Sequence, residues 1–436
     1  MVESMMVSVE TTSALERRMK VQVPADRIES EIDSRLAGVS KTARIKGFRP
    51  GKVPMSVIKQ RYGSQVRQEV LGEIMQSSYF DAIKDENLKP AGGPRIEPDS
   101  VEQGQDLEYT ATFEVYPEVV LTGHEGIAVN RLVAEIGQED IDSMMENLRR
   151  QRADWEEVDR AAAESDRVTV GFKGTIGGEP FAGGEGSDVP IVLGEGGMLA
   201  DFEEGLAGIS AGEEKDIKVT FPADYGGGDL AGQTADFHVT ASKVEKRILP
   251  ELDDEFCRAF GVEEGGIEKL RQEVQDNMTR ELEQRVKRKM KQQVLDGLLD
   301  AHEVELPSVL VEDEIRSMQE SAVRRMGGEI SEQTQLPPRE PLEEPAQRRV
   351  QLGLLVAEVI RVGEIELDRT KARERIGELA ASYPNPEEVV KLYAGNPQLV
   401  ERIEMEVMED QVVDWLLERA KMTDLPSSFK ELMEND

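Results

Sequence analysis

The sequence predicts a multidomain α+β protein: an N-terminal α+β domain, a small antiparallel sheet domain with a short helix in the middle, and a helical C-terminal region. Three observations carry this expectation. At 436 residues the chain exceeds what one hydrophobic core usually organises. Residues 166 to 247 hold 17 of its 38 glycines and five of its 11 phenylalanines, the texture of short strands joined by tight turns. After Pro250, apolar residues recur at helical spacing to the end.

Taken in order, Met19-Lys20-Val21-Gln22-Val23 alternates as a strand does, and Pro24 followed by Ile28, Ile32, Leu36 and Val39 has the spacing of an amphipathic helix. The stretch from Gly47 to Pro54 contains two prolines and two glycines, which exclude helix or central strand, so an exposed loop is expected. Helical spacing resumes through Val57, Ile58, Val66, Val70, Ile74 and Phe80, and Leu107 to Val115 alternates again. Residues 1–118 thus form the first expected domain. Residues 119–165, alternating from Ile127 to Ile136 and then helical through Ile141, Met144, Met145 and Leu148, read as a connector arm. The sheet domain spans 166–247 and the helical region 248–436.

Within the helical region, Leu270, Val274, Met278, Leu282, Val286, Met290, Val294 and Leu298 recur every four residues. Such a stripe drifts about 40° per step around a 3.6-residue helix, so no single straight partner can cover all of it. Further helices are expected after Pro307, around Val350 to Val362, after Asp368, and from Gln398 to Met422, with Gly327-Gly328 and Pro337, Pro338, Pro341 and Pro345 marking a long break. Eight of the 17 methionines lie here, at Met278, Met290, Met318, Met326, Met405, Met408, Met422 and Met433. Flexible thioethers suit a surface that adapts to varied apolar partners; plain helical core is the competing reading.

Charge narrows the function. With 53 Lys+Arg against 88 Asp+Glu, the net charge of −35 excludes a protein whose whole surface binds nucleic acid. Between Ser34 and Gln68, however, lie nine basic residues and no acid: Arg35, Lys41, Arg44, Lys46, Arg49, Lys52, Lys59, Arg61 and Arg67. This island, with Phe48 at a turn, is a candidate docking site for phosphate-rich RNA, against the alternative of a solvated helical face. The lone Cys257 excludes an internal disulfide and reads as a small buried residue in a reducing compartment. Residues 1–18 lack the apolar block of a secretory signal, and no 18-residue apolar run occurs, so a cytoplasmic protein without a membrane span is expected. Gly194-Glu195-Gly196-Gly197 lacks the later glycine of a dinucleotide loop, there is no Walker sequence, and His124, His238 and His302 are too scattered for a metal site. No metal and no cofactor are expected.

Two sets of residues carry a family resemblance. Gly47-Phe48-Arg49-Pro50-Gly51-Lys52-Val53-Pro54, followed by Gln60-Arg61-Tyr62-Gly63, resembles the signature loop of bacterial trigger factor, a chaperone family of the ribosomal tunnel exit. Met6-Val7-Ser8-Val9-Glu10-Thr11-Thr12 and Phe429-Lys430-Glu431-Leu432-Met433 resemble that family's beginning and end. Val168-Thr169-Val170-Gly171-Phe172-Lys173-Gly174, Met198-Leu199-Ala200-Asp201-Phe202-Glu203-Glu204-Gly205-Leu206, Phe221-Pro222-Ala223-Asp224-Tyr225-Gly226 and Phe237-His238-Val239 resemble an FKBP-type prolyl isomerase, the domain that family carries at this place.

The resemblance implies an ATP-independent chaperone that docks at the ribosomal exit on ribosomal protein and rRNA, holds nascent and unfolded polypeptides on its helical body, and isomerises X-Pro bonds. It implies a ribosome-binding loop of Arg44, Lys46, Gly47, Phe48, Arg49, Pro50, Gly51 and Lys52, with Pro50 standing where the family has a third contact cation. The implied isomerase pocket is Phe172, Phe181, Met198, Leu199, Phe202, Tyr225 and Phe237; without the resemblance these residues read as ordinary core. It departs from the family pattern at Ala182, where an acid is common, and at Asp201, where glycine is common. A homodimer when free is also implied. The alternatives are a free prolyl isomerase that does not bind ribosomes, and a holdase with an inactive pocket.

Overall fold

The computed structural model describes residues 5–434 except 44, 46, 47, 49–52, 103, 224, 227–229, 332, 333 and 382, and leaves the Glu434 side chain undescribed. The chain divides into two compact units, Met1–Arg131 with Arg288–Asp424, and Leu132–Lys287 with Leu425–Asp436.

The first unit opens with strands β1 (Met6–Thr11) and β2 (Glu16–Val23), helices α1 (Ala25–Thr42) and α2 (Met55–Asp85), and strands β3 (Arg95–Ser100) and β4 (Leu107–Glu114). Pro24 and Pro54 occupy the N-cap positions of the two helices, where a missing N–H costs nothing. The sheet is antiparallel in the order β1-β2-β4-β3. Its inner face, with Met19, Val21, Val23, Tyr109, Ala111 and Phe113, packs with Ile28, Ile32 and Leu36 of α1 and Ile58, Val66, Val70 and Ile74 of α2 in one core. The period-2 and period-3.6 patterns meet there, which is why both were readable.

Strand β5 (Ala128–Val133) and helix α3 (Gln138–Gln151) follow. Ile141 and Met145 of α3 are buried with Phe256, Cys257, Leu270, Val274 and Leu432. Cys257 is 1% exposed, and burial pushes its thiol above the ordinary range, as a small core residue requires.

The second sheet comprises β6 (Asp154–Glu157), β7 (Arg167–Ile176), β8 (Glu179–Val192), β9 (Glu214–Thr220) and β10 (Thr234–Ile248), with the short helix α4 (Ala200–Leu206) between β8 and β9. All pairings are antiparallel in the order β6-β10-β7-β8, and β9 pairs with the first half of β10. The sheet takes in β6, whose residues the sequence reading assigns to the connector arm. Asp154-Trp155-Glu156-Glu157 has no apolar alternation; backbone pairing with Glu245 to Ile248 and stacking of Trp155 on Arg167 and Arg247 hold it.

The helical region contains α5 (Asp254–Ala259), α6 (Gly266–Asp300), α7 (Ser308–Arg325), α8 (Glu343–Gly363), α9 (Arg369–Ala381), α10 (Pro386–Ala394) and α11 (Pro397–Leu417). The winding stripe of α6 is shared between two cores: Leu270, Val274, Met278 and Leu282 enter that of α3, whereas Val294 and Leu298 join Val129, Leu355, Val359, Val412 and Leu416. Val286 and Met290, at the handover, are half-buried. Expected helix beyond Leu417 is instead a strand, β11 (Lys421–Pro426), before a last short helix, α12 (Phe429–Glu434). β11 pairs with β5: Lys421 donates its N–H to the Ile127 carbonyl at 2.8 Å, and Asp424 accepts two hydrogen bonds from Arg131. Every residue of β11 is exposed, so no buried alternation announced it.

Candidate functional site

In β10, Ala235, Phe237, Val239 and Ala241 point inward and Asp236, His238 and Thr240 outward. This alternation puts Phe237 directly across from Gly174 of β7. A Cβ at Gly174 would lie 2.6 Å from the Phe237 ring, one at Gly184 2.9 Å from Phe181, and one at Gly186 2.7 Å from Phe172. Three rings therefore rest on bare backbone, a close approach that only glycine permits. α4 supplies the fourth ring: Phe202, 1% exposed, meets Phe237 edge to face at 5.2 Å and Phe172 at 5.6 Å. Phe181 reaches Phe237 and Phe221, each at 6.0 Å, and Phe221 lies 4.9 Å from Tyr225.

The structure thus brings Phe172, Phe181, Phe202, Tyr225 and Phe237 into one connected aromatic cluster, and packs Met198 and Leu199, both half-buried, against the same core. Phe202 and Phe237 are buried, Phe172 and Phe181 half-buried, and Tyr225 exposed, so the cluster grades from enclosed rings to a solvent-exposed one. Phe221, buried and bridging Phe181 to Tyr225, is absent from the sequence-expected pocket. The alternation Ile217, Val219, Phe221 was the signal that could have found it. Of the two departures, Asp201 is exposed, and its carboxylate accepts the Thr220 N–H at 3.0 Å, tying α4 to β9; Ala182 is exposed on β8.

Arg44, Lys46, Gly47, Arg49, Pro50, Gly51 and Lys52 of the expected docking loop lie outside the described residues. Phe48 is described, and it is 42% exposed. Its flanks are anchored: Ala43, Ile45 and Val53 are buried in the N-terminal core, and Phe48 donates its N–H to the Ile45 carbonyl at 3.1 Å. The surrounding cationic window is narrower than its composition implied. Lys59 pairs with Asp33 at 2.7 Å, Arg67 with Glu29 at 3.6 Å, and Arg35 with Glu73, all acids outside the window. These three cations are engaged within the fold, because each pairs between α1 and α2 with an acid far away in sequence, which a linear count cannot see.

In the helical region, Met278 is 1% exposed, whereas Met326 is 75% and Met405 62% exposed, so plain helical core accounts for the first and not for the other two. Tyr383, Val390 and Leu392, on and beside α10, are also exposed. Among the described residues, no helix is long and apolar enough to cross a membrane, and no group of three His, Cys, Asp or Glu residues is placed to hold a metal ion.

Comparison with known proteins bears on all these regions. Residues 5–148 match the bacterial trigger factor protein family, 158–242 the FKBP-type peptidyl-prolyl cis-trans isomerase family, and 266–418 the trigger factor C-terminus family. The chain is 48% identical over 429 residues to the trigger factor of Alkalilimnicola ehrlichii, covering 98% of this chain and 95% of the relative. It is likewise 48% identical over 427 residues to that of Ectopseudomonas mendocina, covering 98% of each. A solved structure of the trigger factor chaperone, described for promiscuous substrate recognition in folding and assembly, aligns over 94% of this chain and 99% of its own with a TM-score of 0.51. At 19% identity, that alignment speaks to the fold.

Proposed function

The chain belongs to the bacterial trigger factor family, chaperones with an FKBP-type prolyl isomerase domain, and from that premise we propose how its residues divide the work. The loop of Arg44, Lys46, Gly47, Phe48, Arg49, Pro50, Gly51 and Lys52 docks the chain at the ribosomal exit on rRNA and ribosomal protein. Exposed apolar positions such as Met326, Leu392 and Met405 meet nascent and unfolded polypeptide. Residues 1–118 act as the ribosome-binding domain, 119–165 as the connector, 166–247 as the isomerase and 248–436 as the helical chaperone body. The protein works in the cytoplasm and pairs with itself when free of ribosomes.

Phe172, Phe181, Met198, Leu199, Phe202, Tyr225 and Phe237, with Phe221, line the isomerase pocket. Rotation about X-Pro must break amide resonance, against a barrier of roughly 18–20 kcal/mol. The twisted amide is less dipolar than the planar one, so a dry aromatic enclosure disfavours the ground state relative to the transition state. No nucleophile is needed. Lowering the barrier by about 6 kcal/mol accelerates rotation roughly 10⁴-fold.

The observation that carries the docking assignment is Phe48, an exposed ring between buried anchors, in an acid-free window of a chain with net charge −35. A protein so anionic needs a local cationic contact to approach RNA at all. Replacing Phe48, Arg49 and Lys52 together by alanine is expected to abolish cosedimentation with ribosomes, and equal pelleting removes the loop from the mechanism. If about four cations meet phosphates, the log-log salt slope of wild-type binding lies near −3.

A further inference from the structure

The segment that brings Met198 and Leu199 to the aromatic cluster has little intrinsic order. Gly194-Glu195-Gly196-Gly197 holds three glycines, two of them at positive φ (+86° at Gly194, +70° at Gly196), and glycine loses the most conformational freedom when fixed. The fold supplies a tether from inside. Glu203, 8% exposed, receives three backbone N–H groups on its carboxylate: Gly194 at 2.9 Å and Gly196 at 3.3 Å on Oε2, and Met198 at 2.9 Å on Oε1. Its neighbour on α4 is Phe202, the most buried ring of the cluster. A second tie acts from outside, where Arg247 donates to the Glu195 carboxylate at 2.5 Å while its guanidinium lies over the Trp155 ring.

We propose that Glu203 is a positioning residue of the isomerase reaction: its buried carboxylate holds the glycine-rich segment, and with it Met198 and Leu199, at the mouth of the aromatic pocket. The proposal rests on the pocket assignment made above. One helical turn carries both the ring at the pocket floor and the group that sets its edge, so floor and edge keep a constant separation. A buried carboxylate suits this task because it accepts on both oxygens, and here both are used. Glutamine, of equal size, can keep either the Met198 bond or the glycine pair, since its amide nitrogen would face an N–H donor on the other side.

The test compares full-length wild type with Glu203→Gln, Glu195→Ala and Phe237→Leu, measuring kcat and KM on a short X-Pro peptide together with amide hydrogen exchange. Glu203→Gln is expected to lower kcat/KM about tenfold, mainly through kcat, because the peptide still reaches a less well-defined aperture. The amides of Gly194, Gly196 and Met198 should exchange faster while those of Val219 and Val239 in the sheet stay protected. Glu195→Ala, at an exposed side chain, is expected to cost about two- to threefold by loosening the outer tie alone. A Glu203→Gln protein within twofold of wild type overturns the proposal. Should that variant loosen the whole sheet, Glu195→Ala decides, and activity indistinguishable from wild type then overturns it. Phe237→Leu separates the two ideas: full activity there sinks the pocket itself, whereas its loss beside an unaffected Glu203→Gln sinks only the tether.

Discussion

Phe202 and Phe48 show the same side chain in opposite surroundings. Phe202, 1% exposed, is enclosed edge to face by Phe172 and Phe237; Phe48 is 42% exposed at a turn between buried anchors. A ring that acts by excluding water must be surrounded, and a ring that docks must protrude. Their electrostatic settings differ as well. The window around Phe48 contains nine cations and no acid, whereas residues 166–247 carry 15 acids and seven bases. Ribosome docking should therefore fall steeply with salt, while isomerisation of a neutral peptide should hardly notice it.

The largest expected effect breaks one site and spares the other. Phe202→Ala empties the centre of the cluster, which should cost about 3–5 kcal/mol of local stability and reduce X-Pro acceleration toward the uncatalysed rate. Because Phe202 and Phe48 belong to different compact units, cosedimentation with ribosomes should persist. The triple alanine variant at Phe48, Arg49 and Lys52 should show the reverse. Loss of both activities in either variant would mean that the two rings are not independent.

A subtler change probes the enclosure without removing a ring. Gly174→Ala adds one carbon 2.6 Å from the Phe237 ring, closer than real contacts allow, so the ring must shift. Overpacking of this kind typically costs about 1–3 kcal/mol. A fall of about tenfold in kcat/KM, with the domain still folded by circular dichroism, is the expected result. Gly177→Ala would be a poor control, since Gly177 has a φ of +61° and would be strained for a different reason.

Much of this organisation was legible because burial writes a period into sequence. The alternation of β4 and the helical spacing of α1 each reflect one buried face, and both were read nearly to their ends. What escaped had no buried face. β6 is acidic apart from Trp155 and is held by backbone pairing and by two guanidiniums over that ring; β11 is wholly exposed and depends on its pairing with β5. The aromatic cluster was legible only through the family resemblance, since its residues alone read as ordinary core, and the Glu203 contacts were not legible at all, because they are three hydrogen bonds to backbone that any residue type supplies. Side-chain ion pairs were equally hidden: Asp33, Glu29 and Glu73 pair with Lys59, Arg67 and Arg35 between α1 and α2.

The smallest expected effect concerns the outer face of the strand that carries Phe237. His238, one residue on, points away from the cluster, with Nδ1 2.7 Å from the Asp216 carboxylate and Nε2 3.7 Å from Glu214. The Asp216 hydrogen bond raises the imidazole pKa above its ordinary value, and Glu214 adds to the effect. A folded-state pKa above the unfolded one means that the stabilisation is complete below pH about 6.5 and is lost as pH rises through the raised value. Wild-type isomerase-domain Tm should therefore decline slightly between about pH 6 and 8, whereas His238→Gln should be flatter over that window. The difference should be about 1 °C, since exposed ion pairs are worth little. Because successive side chains of a strand face opposite ways, kcat/KM at constant pH should be equal in the two proteins. A drop in the variant would show that the outer face of β10 communicates with the pocket, and the separation between a structural surface and an enclosed aromatic site would then fail at its closest point.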